Sequence, residues 1–380
     1  MLEIPSHQLV FRQPSQLVIK QQPATTLDDF AIVIKMQAAG LCGTDLAMLS
    51  GGRVCHAQVL GHEGVGVVLS APSTSPLAKG TRVILNPVHR SKPECVIGHS
   101  IDGVFREVFW LESTEIMQAG FLVECPAECS IDSATLALAE PLASVLYSLE
   151  LLRQKSNATS LLVRGSGTIA VLAAKLWSAH PNSSVVAVSK SEAHAQWLRE
   201  SIPWPENVKI SSLDTSDSRS SSSDARFDAG ILCCSREDAS HGLQFLMDSV
   251  EDGAIIDLMA GFPADYKETR LGNLELDRIR WNNIRGVESA PPTLVADQKT
   301  QRTLSLVGHR GTSERQILDA VKLLAKKIIS LADVPHKQIT LEELPSTVRD
   351  ILSPARQKMK WSKAIVIFPQ DKLGDLDGRL

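Results

Sequence analysis

No run of 18 apolar residues occurs in the 380-residue chain, so no membrane-spanning helix is expected. The start, MLEIPSHQLVFRQPSQ, lacks a basic segment followed by an apolar one, so no secretory leader is expected either. Aromatic residues are few: nine Phe, six Trp and two Tyr. That scarcity argues for a polar substrate pocket over a large aromatic box. An excess of one charge is missing as well. A formal net charge of −4 gives no footprint for nucleic acid or anionic lipid. Seven cysteines are present, at Cys42, Cys55, Cys95, Cys125, Cys129, Cys233 and Cys234. Their odd number and wide spread do not make a disulfide framework, and a reducing cytoplasmic setting is the simplest one. Solenoid-type repeats are absent. What remains is an ordinary globular composition, 43% apolar and 22% charged, in a chain long enough for two domains.

The pattern changes along the chain. Up to about residue 125, FAIVIKMQAAG, GVGVVLSAP and GTRVILNPV read as strands closed by Gly, Pro and Ser. From about residue 133, SATLALAEPLASVLYSLELL has helical apolar spacing. Strands and helices then alternate: TSLLVRGSG, TIAVLAAKLWSAH, SSVVAVSK, SEAHAQWLRESI, NVKISS, FDAGILCC and GAIIDLMAG. Nearly continuous apolar strands in such alternation predict a parallel sheet covered on both faces. SSLDTSDSRSSSSDARFD, rich in serine, reads as a surface loop. Beyond residue 300, TLSLVGHRG predicts a strand, SERQILDAVKLLAKKII an amphipathic helix and WSKAIVIFP a closing strand. NNIRGVE also reads as strand-like.

VRGSGTIA places Gly165, Ser166, Gly167, Thr168, Ile169 and Ala170 at a strand-to-helix turn. The spacing is G-x-G-x-x-A. The first glycine permits the tight turn, the second lets backbone approach a pyrophosphate, and the alanine keeps the helix close to the sheet. The helix N-terminus then offers free N–H groups and a dipole to the phosphates. An acidic residue at the end of the second strand would accept from a ribose 2′-hydroxyl and repel a 2′-phosphate. Here Ser189 and Lys190 stand about 20 residues on, a donor and a cation, which favours NADP(H) over NAD(H). The plainer reading of Lys190 is a solvated residue after a strand.

A second chemistry is suggested by LGHEGVGVV. His62 and Glu63 lie downstream of Cys42, in GLCGTDLAML, and upstream of Glu140, in ALAEPLASV. One thiolate, one imidazole and two carboxylates suit a borderline-soft ion such as zinc, and a catalytic zinc needs about three protein ligands with one position open. Taken singly, each residue also has an ordinary structural role: a buried thiol, or a carboxylate at a helix start.

In order along nearly the whole chain, GLCGTDLAML, VLGHEGVGVV, GTRVILNP, DGVFREV, LAEPLASVLYSL and VRGSGTIAVLAAK resemble the zinc-dependent medium-chain dehydrogenase/reductase superfamily. Its polyol dehydrogenases of the sorbitol type, with their sugar and cyclitol relatives, look most similar. The resemblance implies an α/β chain: a GroES-like, mostly-β catalytic domain over 1–145, a Rossmann domain with a doubly wound parallel sheet over 146–310, and a return to the catalytic domain over 311–380. It implies that Cys42, His62 and Glu140 sit at one catalytic zinc, with Glu63 either a direct ligand or exchanging with water. Thr44 matches the hydroxyl residue that contacts the substrate alcohol and relays its proton. Arg310, in LVGHRGTS, falls near a substrate-side arginine. The implied reaction moves hydride between NADP(H) and a secondary alcohol or ketone of a polyol, sugar or cyclitol, in a homodimer or homotetramer. The cofactor would touch Gly165, Ser166, Gly167, Thr168, Ile169, Ser189 and Lys190.

Three departures qualify that picture. Where many relatives hold a structural zinc on four close cysteines, NPVHRSKPECVIGHSIDG offers Cys95 alone, so no structural zinc is expected; His89, Cys95 and His99 make at most a partial set. The position of a relay histidine is Ala47, which points away from simple alcohols. Residues 281–308 form an insertion near the expected dimer edge. Two other readings stay open: a zinc-free reductase of an activated double bond or aldehyde, and a cofactor-binding scaffold without turnover.

Overall fold

The computed structural model describes residues 1–14, 16–112, 119–155, 157–216, 226–285, 291–354, 356 and 359–369. The chain divides into two compact units, one of Met1–Ala143, Gly311–Leu331 and His336–Leu380, the other of Ser144–Arg310 and Ala332–Pro335.

The first unit opens with β1 (Leu2–Ile4), β2 (His7–Gln13), β3 (Gln16–Gln22), β4 (Thr25–Leu27) and β5 (Ile32–Leu41), followed by α1 (Gly43–Leu49). Strands β6 (Glu63–Ser70), β7 (Arg82–Leu85), β8 (Val108–Leu111) and β9 (Leu122–Glu124) come next, then the helix α2 (Ser133–Leu136); the helix α3 (Ala139–Leu152) begins in this unit and from Ser144 belongs to the second. Strand β5 is the axis of this unit. Its sequence, IVIKMQAAGL, is buried along nearly its whole length because both edges are paired. One edge carries β6. The other carries β8 on the N-terminal half and, on the C-terminal half, the last strand of the chain. The apolar core beneath includes Ile34, Met36, Phe105, Phe109 and Phe121.

The helical stretch after residue 133 is broken at Ala137–Leu138, between α2 and α3. Pro141 explains the break: it lacks an N–H and its ring opposes a helical carbonyl four residues back, so it is tolerated only in a first turn. Ser133–Leu152 as a whole is long and apolar enough to cross a membrane by length and composition, with a mean hydropathy of 1.3, and 72% of that window is buried inside the protein. It passes on mean hydropathy and not as an uninterrupted apolar run. Glu140 and Glu150 interrupt the apolar run without lowering its mean far enough, and the burial is that of a core helix.

The second unit builds one sheet from β10 (Ser160–Arg164), β11 (Ser184–Ser189), β12 (Val208–Ser212), β13 (Phe227–Leu232), β14 (Val250–Asp257), β15 (Thr293–Ala296) and β16 (Thr303–Val307). Their spatial order is β12-β11-β10-β13-β14-β16-β15. All neighbours are parallel except β15, which lies antiparallel on the edge. The chain moves outward from β10 to one side and then restarts at β13 on the other, so the topological switch lies between β10 and β13. Intervening helices are α4 (Thr168–Ser178), α5 (Glu192–Ser201), α6 (Leu213–Ser216), α7 (Ala239–Ser249) and α8 (Leu276–Trp281). Leu161–Val163, Ala187–Val188 and Gly230–Leu232 on the central strands are buried because helices cover the sheet.

NNIRGVE is not a strand over its described residues. Arg285 has φ +55°, outside the extended region, and only an isolated bridge joins Ile284 to Arg310. The antiparallel strand forms further on, at β15. Residues 286–290, within the insertion, and 217–225, within the serine-rich loop, lie outside the described residues. The chain returns to the first unit with α9 (Glu314–Ala325), whose Ser313 and Gln316 form a reciprocal cap, then β17 (His336–Ile339), α10 (Leu344–Ile351) and β18 (Lys363–Ile367) on β5.

Candidate active site

Where β5 ends, its register sets the site. Gly40 lies opposite Glu63 of β6 on one side and opposite Ile365 of β18 on the other. Directly opposed residues point to the same face, so the absent side chain of Gly40 leaves a hole there. Glu63 and Lys363 fill it: a Cβ on Gly40 would sit 2.1 Å from Glu63 Oε2 and 2.9 Å from Lys363 Cε. Lys363 donates to Glu63 in an ion pair whose side chains are 4% and 2% exposed. Burial alone would lower the Lys363 pKa; the nearby Glu63 and Cys42 reverse that, and it ends above the ordinary lysine range.

Cys42 follows β5 and stands at the N-cap of α1. Asp45, three residues on and fully buried, joins two segments. Its Oδ2 accepts the Cys42 N–H at 2.9 Å, and its Oδ1 accepts the Gly61 N–H at 3.2 Å. The same Oδ1 lies 3.3 Å from His62 Nδ1. The imidazole therefore has its Nδ1 side against a carboxylate, which leaves Nε2 as the nitrogen for another partner. Burial by itself would push the His62 pKa down; Asp45 and then Cys42 more than reverse that, and it ends well above the ordinary value. Thr44 Oγ1 accepts from Cys42 Sγ at 3.6 Å.

Cys42, His62 and Glu63 each offer a ligand atom, and these atoms lie within 4.8 Å of one another. Among the described residues this is the group of three such side chains close enough to share an ion. A thiol, an imidazole and a carboxylate, converging and mostly buried, fit a borderline-soft divalent cation. Glu140, near the start of α3 and 9% exposed, stands outside that trio but close enough to feel it. Burial and then the charge of Glu63 push its carboxyl pKa up, while His62 and Lys363 pull the other way.

The members of the suspected partial zinc set face different partners. His89 Nδ1 accepts the N–H groups of Ser91 and Lys92, at 3.0 and 3.1 Å, and its ring meets Phe121 edge-on. His99 instead stands edge-on to His62, with ring centroids 5.1 Å apart.

The second unit holds the nucleotide candidates. Gly165 has φ +155°, and a Cβ there would lie 2.6 Å from the Cys233 carbonyl oxygen, so the turn after β10 requires glycine. Gly167 is the N-cap of α4, with nothing within 4 Å of a Cβ position, so its outer side is open to an approaching ligand. Ser166, Thr168 and Ile169 are part-exposed beside it, and Ala170 is buried against the sheet. Ser189 is 1% exposed and its Oγ has no hydrogen-bond partner. Lys190 does not stand alone in solvent: its Nζ reaches Asp238 at 2.9 Å. Arg310 belongs to this unit, with its guanidinium 3.9 Å over the Trp281 ring and its N–H bonded to the Asn283 carbonyl.

Residues 28–120 match the family model of the alcohol dehydrogenase GroES-like domain. D-xylulose reductase of Saccharomyces cerevisiae is 26% identical over 214 residues, 50% of this chain and 58% of the relative. L-galactonate-5-dehydrogenase of Escherichia coli K12 is 30% identical over 193 residues, 47% of this chain and 55% of the relative. The family model and these relatives support the zinc-type medium-chain dehydrogenase/reductase superfamily. The chain's matches span about half the length of the curated relatives. The fold agrees across nearly all of the chain: a protein of Sinorhizobium meliloti 1021 described as a zinc-binding dehydrogenase, bound to NADP, superposes with a TM-score of 0.69 at 18% identity, over 96% of this chain and 100% of that one. That likeness of fold extends over both units, the GroES-like one and the parallel-sheet one.

Two residues of the metal candidate were not singled out in the sequence. Asp45 had a local signal, since an acid three residues after the N-cap Cys42 is a capping arrangement. Lys363 had none: it lies 300 residues from Glu63.

Proposed function

We propose that the protein is a zinc-dependent oxidoreductase that transfers hydride between NADP(H) and a secondary alcohol or ketone of a polyol, sugar or cyclitol. The observation that carries this is the mostly buried trio Cys42, His62 and Glu63, ligand atoms within 4.8 Å, in a chain that also presents the Gly165–Gly167 turn at a parallel-sheet switch point. The relatives named for xylulose and galactonate support a polyhydroxylated substrate, and the NADP-bound neighbour supports a dinucleotide. We take residues 1–145 and 311–380 as the catalytic part and 146–310 as the nucleotide part.

Cys42 and His62 would hold the ion, with Glu63 or Glu140 completing the set. Zinc, when bound, supplies a Lewis acid at the oxygen that changes between alcohol and carbonyl. The Asp45 carboxylate stands against the Nδ1 side of the His62 ring, which would leave Nε2 for the ion. Lys363 holds Glu63 by one oxygen and so limits how far that carboxylate can turn. Thr44, whose Oγ1 lies beside Cys42, would contact the substrate hydroxyl and relay its proton. Arg310 is the candidate substrate-side cation, supported by a guanidinium held on the Trp281 face. Gly165, Ser166, Gly167, Thr168 and Ile169 would receive the pyrophosphate, with Ser189 and Lys190 at the adenosine ribose.

The test joins metal analysis to a substrate panel. About one zinc per chain is expected, lost together with turnover in Cys42→Ser. Polyols, cyclitols and their ketones, assayed in both directions with NADPH and NADH, should give turnover that zinc removal abolishes. Full turnover in a zinc-free preparation would support the zinc-free reductase and end this reading.

A further inference from the structure

Lys190 follows β11, and Asp238 precedes α7 after β13. In the sheet, β10 lies between those two strands. A contact between Lys190 and Asp238 therefore spans the C-terminal end of β10, where Arg164 and the Gly165 turn close the strand. Lys190 Nζ lies 2.9 and 3.2 Å from the two carboxylate oxygens of Asp238, and Ser235 Oγ donates to the same carboxylate at 3.1 Å. Beneath the pair, Arg164 is 3% exposed; its Nη1 donates to the Val188 carbonyl at 3.2 Å, and its Nε has no hydrogen-bond partner. The Ser189 hydroxyl, beside Lys190 in sequence, is likewise buried and unpartnered. This end of the sheet thus carries two cations, Lys190 and Arg164, and one carboxylate that answers both. Those cations, with the hydrogen bonds of Ser235, hold the Asp238 carboxyl below its ordinary range against the opposing effect of burial.

In the reading proposed above, the adenosine half of the cofactor lies in this space, between the ends of β11, β10 and β13. We infer that Asp238 is a selectivity residue for that cofactor, competing with the 2′-phosphate of NADP(H) for Lys190. This inference rests on the cofactor reading. A phosphate carries more charge than a carboxylate and can take the lysine from it, whereas a 2′-hydroxyl cannot. The clasp therefore costs NADPH something on entry and costs NADH little. Asp238 thereby mutes a preference that Ser189 and Lys190 would otherwise give more strongly. Because Lys190 is 71% exposed, the effect is modest and screened by salt.

Asp238→Asn tests this without removing a helix cap, since the Asp238 side chain makes no cap hydrogen bond. Dissociation constants for NADPH and NADH are measured by titration calorimetry on the full chain, wild type and D238N, each with and without K190A, at low and high salt. D238N is expected to tighten NADPH about two- to five-fold, to leave NADH unchanged, and to lose that gain at high salt. In the K190A background the gain should vanish, because the cycle then contains no lysine to release. An equal change for both dinucleotides, or a gain that persists without Lys190, overturns the inference. Wild type that binds NADPH with D238N indistinguishable from it also overturns the inference and leaves the cofactor reading standing; wild type that binds neither dinucleotide overturns both.

Discussion

Replacing Lys363 by methionine separates the fold from the metal. The substitution keeps most of the stem volume and removes the ammonium from a pair whose side chains are 4% and 2% exposed. Breaking a buried pair by removing one partner costs about 3–5 kcal/mol, because the other charge is left uncompensated. The zinc-free protein should lose about that much stability. The zinc-loaded protein should lose less, since Glu63 lies within reach of an ion held by Cys42 and His62 and gains a second cation to face. Lys363 also sets a positive charge close to Cys42 and Glu140, which works against a cation between them. If half of the loss is recovered, about 2 kcal/mol appears as binding energy, roughly a 30-fold gain in zinc affinity.

The assay is competition for zinc against a chromophoric chelator, with thermal melts of the free and loaded forms of both proteins. Lys363→Met should bind zinc more tightly than wild type while melting lower without it. Equal destabilisation of the two forms, or weaker zinc binding in the variant, would refute the argument. Lys363 would then be a fixed strut that orients Glu63 for the ion, rather than a competitor of the ion for it.

Asp45→Asn keeps the shape but removes the charge facing His62 Nδ1, and metal affinity measured by the same competition should fall about 10- to 100-fold; unchanged affinity would remove Asp45 from the site. Gly165→Ala forces a Cβ to within 2.6 Å of the Cys233 carbonyl oxygen at φ +155°, so dinucleotide binding should be lost in calorimetry while the first unit keeps its zinc. Asp297 is pushed up by burial but held down to about 2 by the Arg270 guanidinium and Thr300, so its folded value lies below the unfolded one. The sign follows: its contribution, roughly 2 kcal/mol, is complete above pH 5 and fades as pH falls toward 2. Asp297→Asn should therefore melt lower than wild type at pH 7, and the gap should narrow at pH 3; a gap that widens in acid would contradict the assignment.

How much of this was legible in the sequence depends on how far apart the interacting parts lie along the chain. The Gly165 turn was readable because strand, glycines and helix are contiguous, and the steric reason for glycine is local. Cys42 and His62 were readable as residue types that suit a metal. The break between α2 and α3 had a visible cause in Pro141, yet apolar spacing alone ran through it. NNIRGVE looked extended by composition, but Arg285 turns to positive φ and its backbone N–H bonds to the Arg310 carbonyl. Lys190 was readable as a cation and not as half of a pair, because Asp238 reaches it only through the order of the strands. Lys363 begins the closing strand and reads locally as an ordinary solvated lysine.

The two ion pairs also differ in what their surroundings let them do. Lys190 and Asp238 meet near solvent, so either can exchange its partner for water or phosphate at small cost, which suits a contact that a ligand must open. Glu63 and Lys363 meet where water does not reach, so neither can give up the other unless another charge arrives. Asp45, Glu63 and Glu140 bring three carboxyl groups to one buried region, together with a thiol that an ion would take as thiolate, against one lysine and one imidazole. Burial first, and then that imbalance, drives Glu140 toward its neutral form, while Asp45 and Cys42 draw His62 toward its charged one. Protons supply the missing positive charge when no cation is present. A divalent ion would supply it better, because it can face several ligands at once, and in taking Cys42 and His62 it would release the protons that stood in for it.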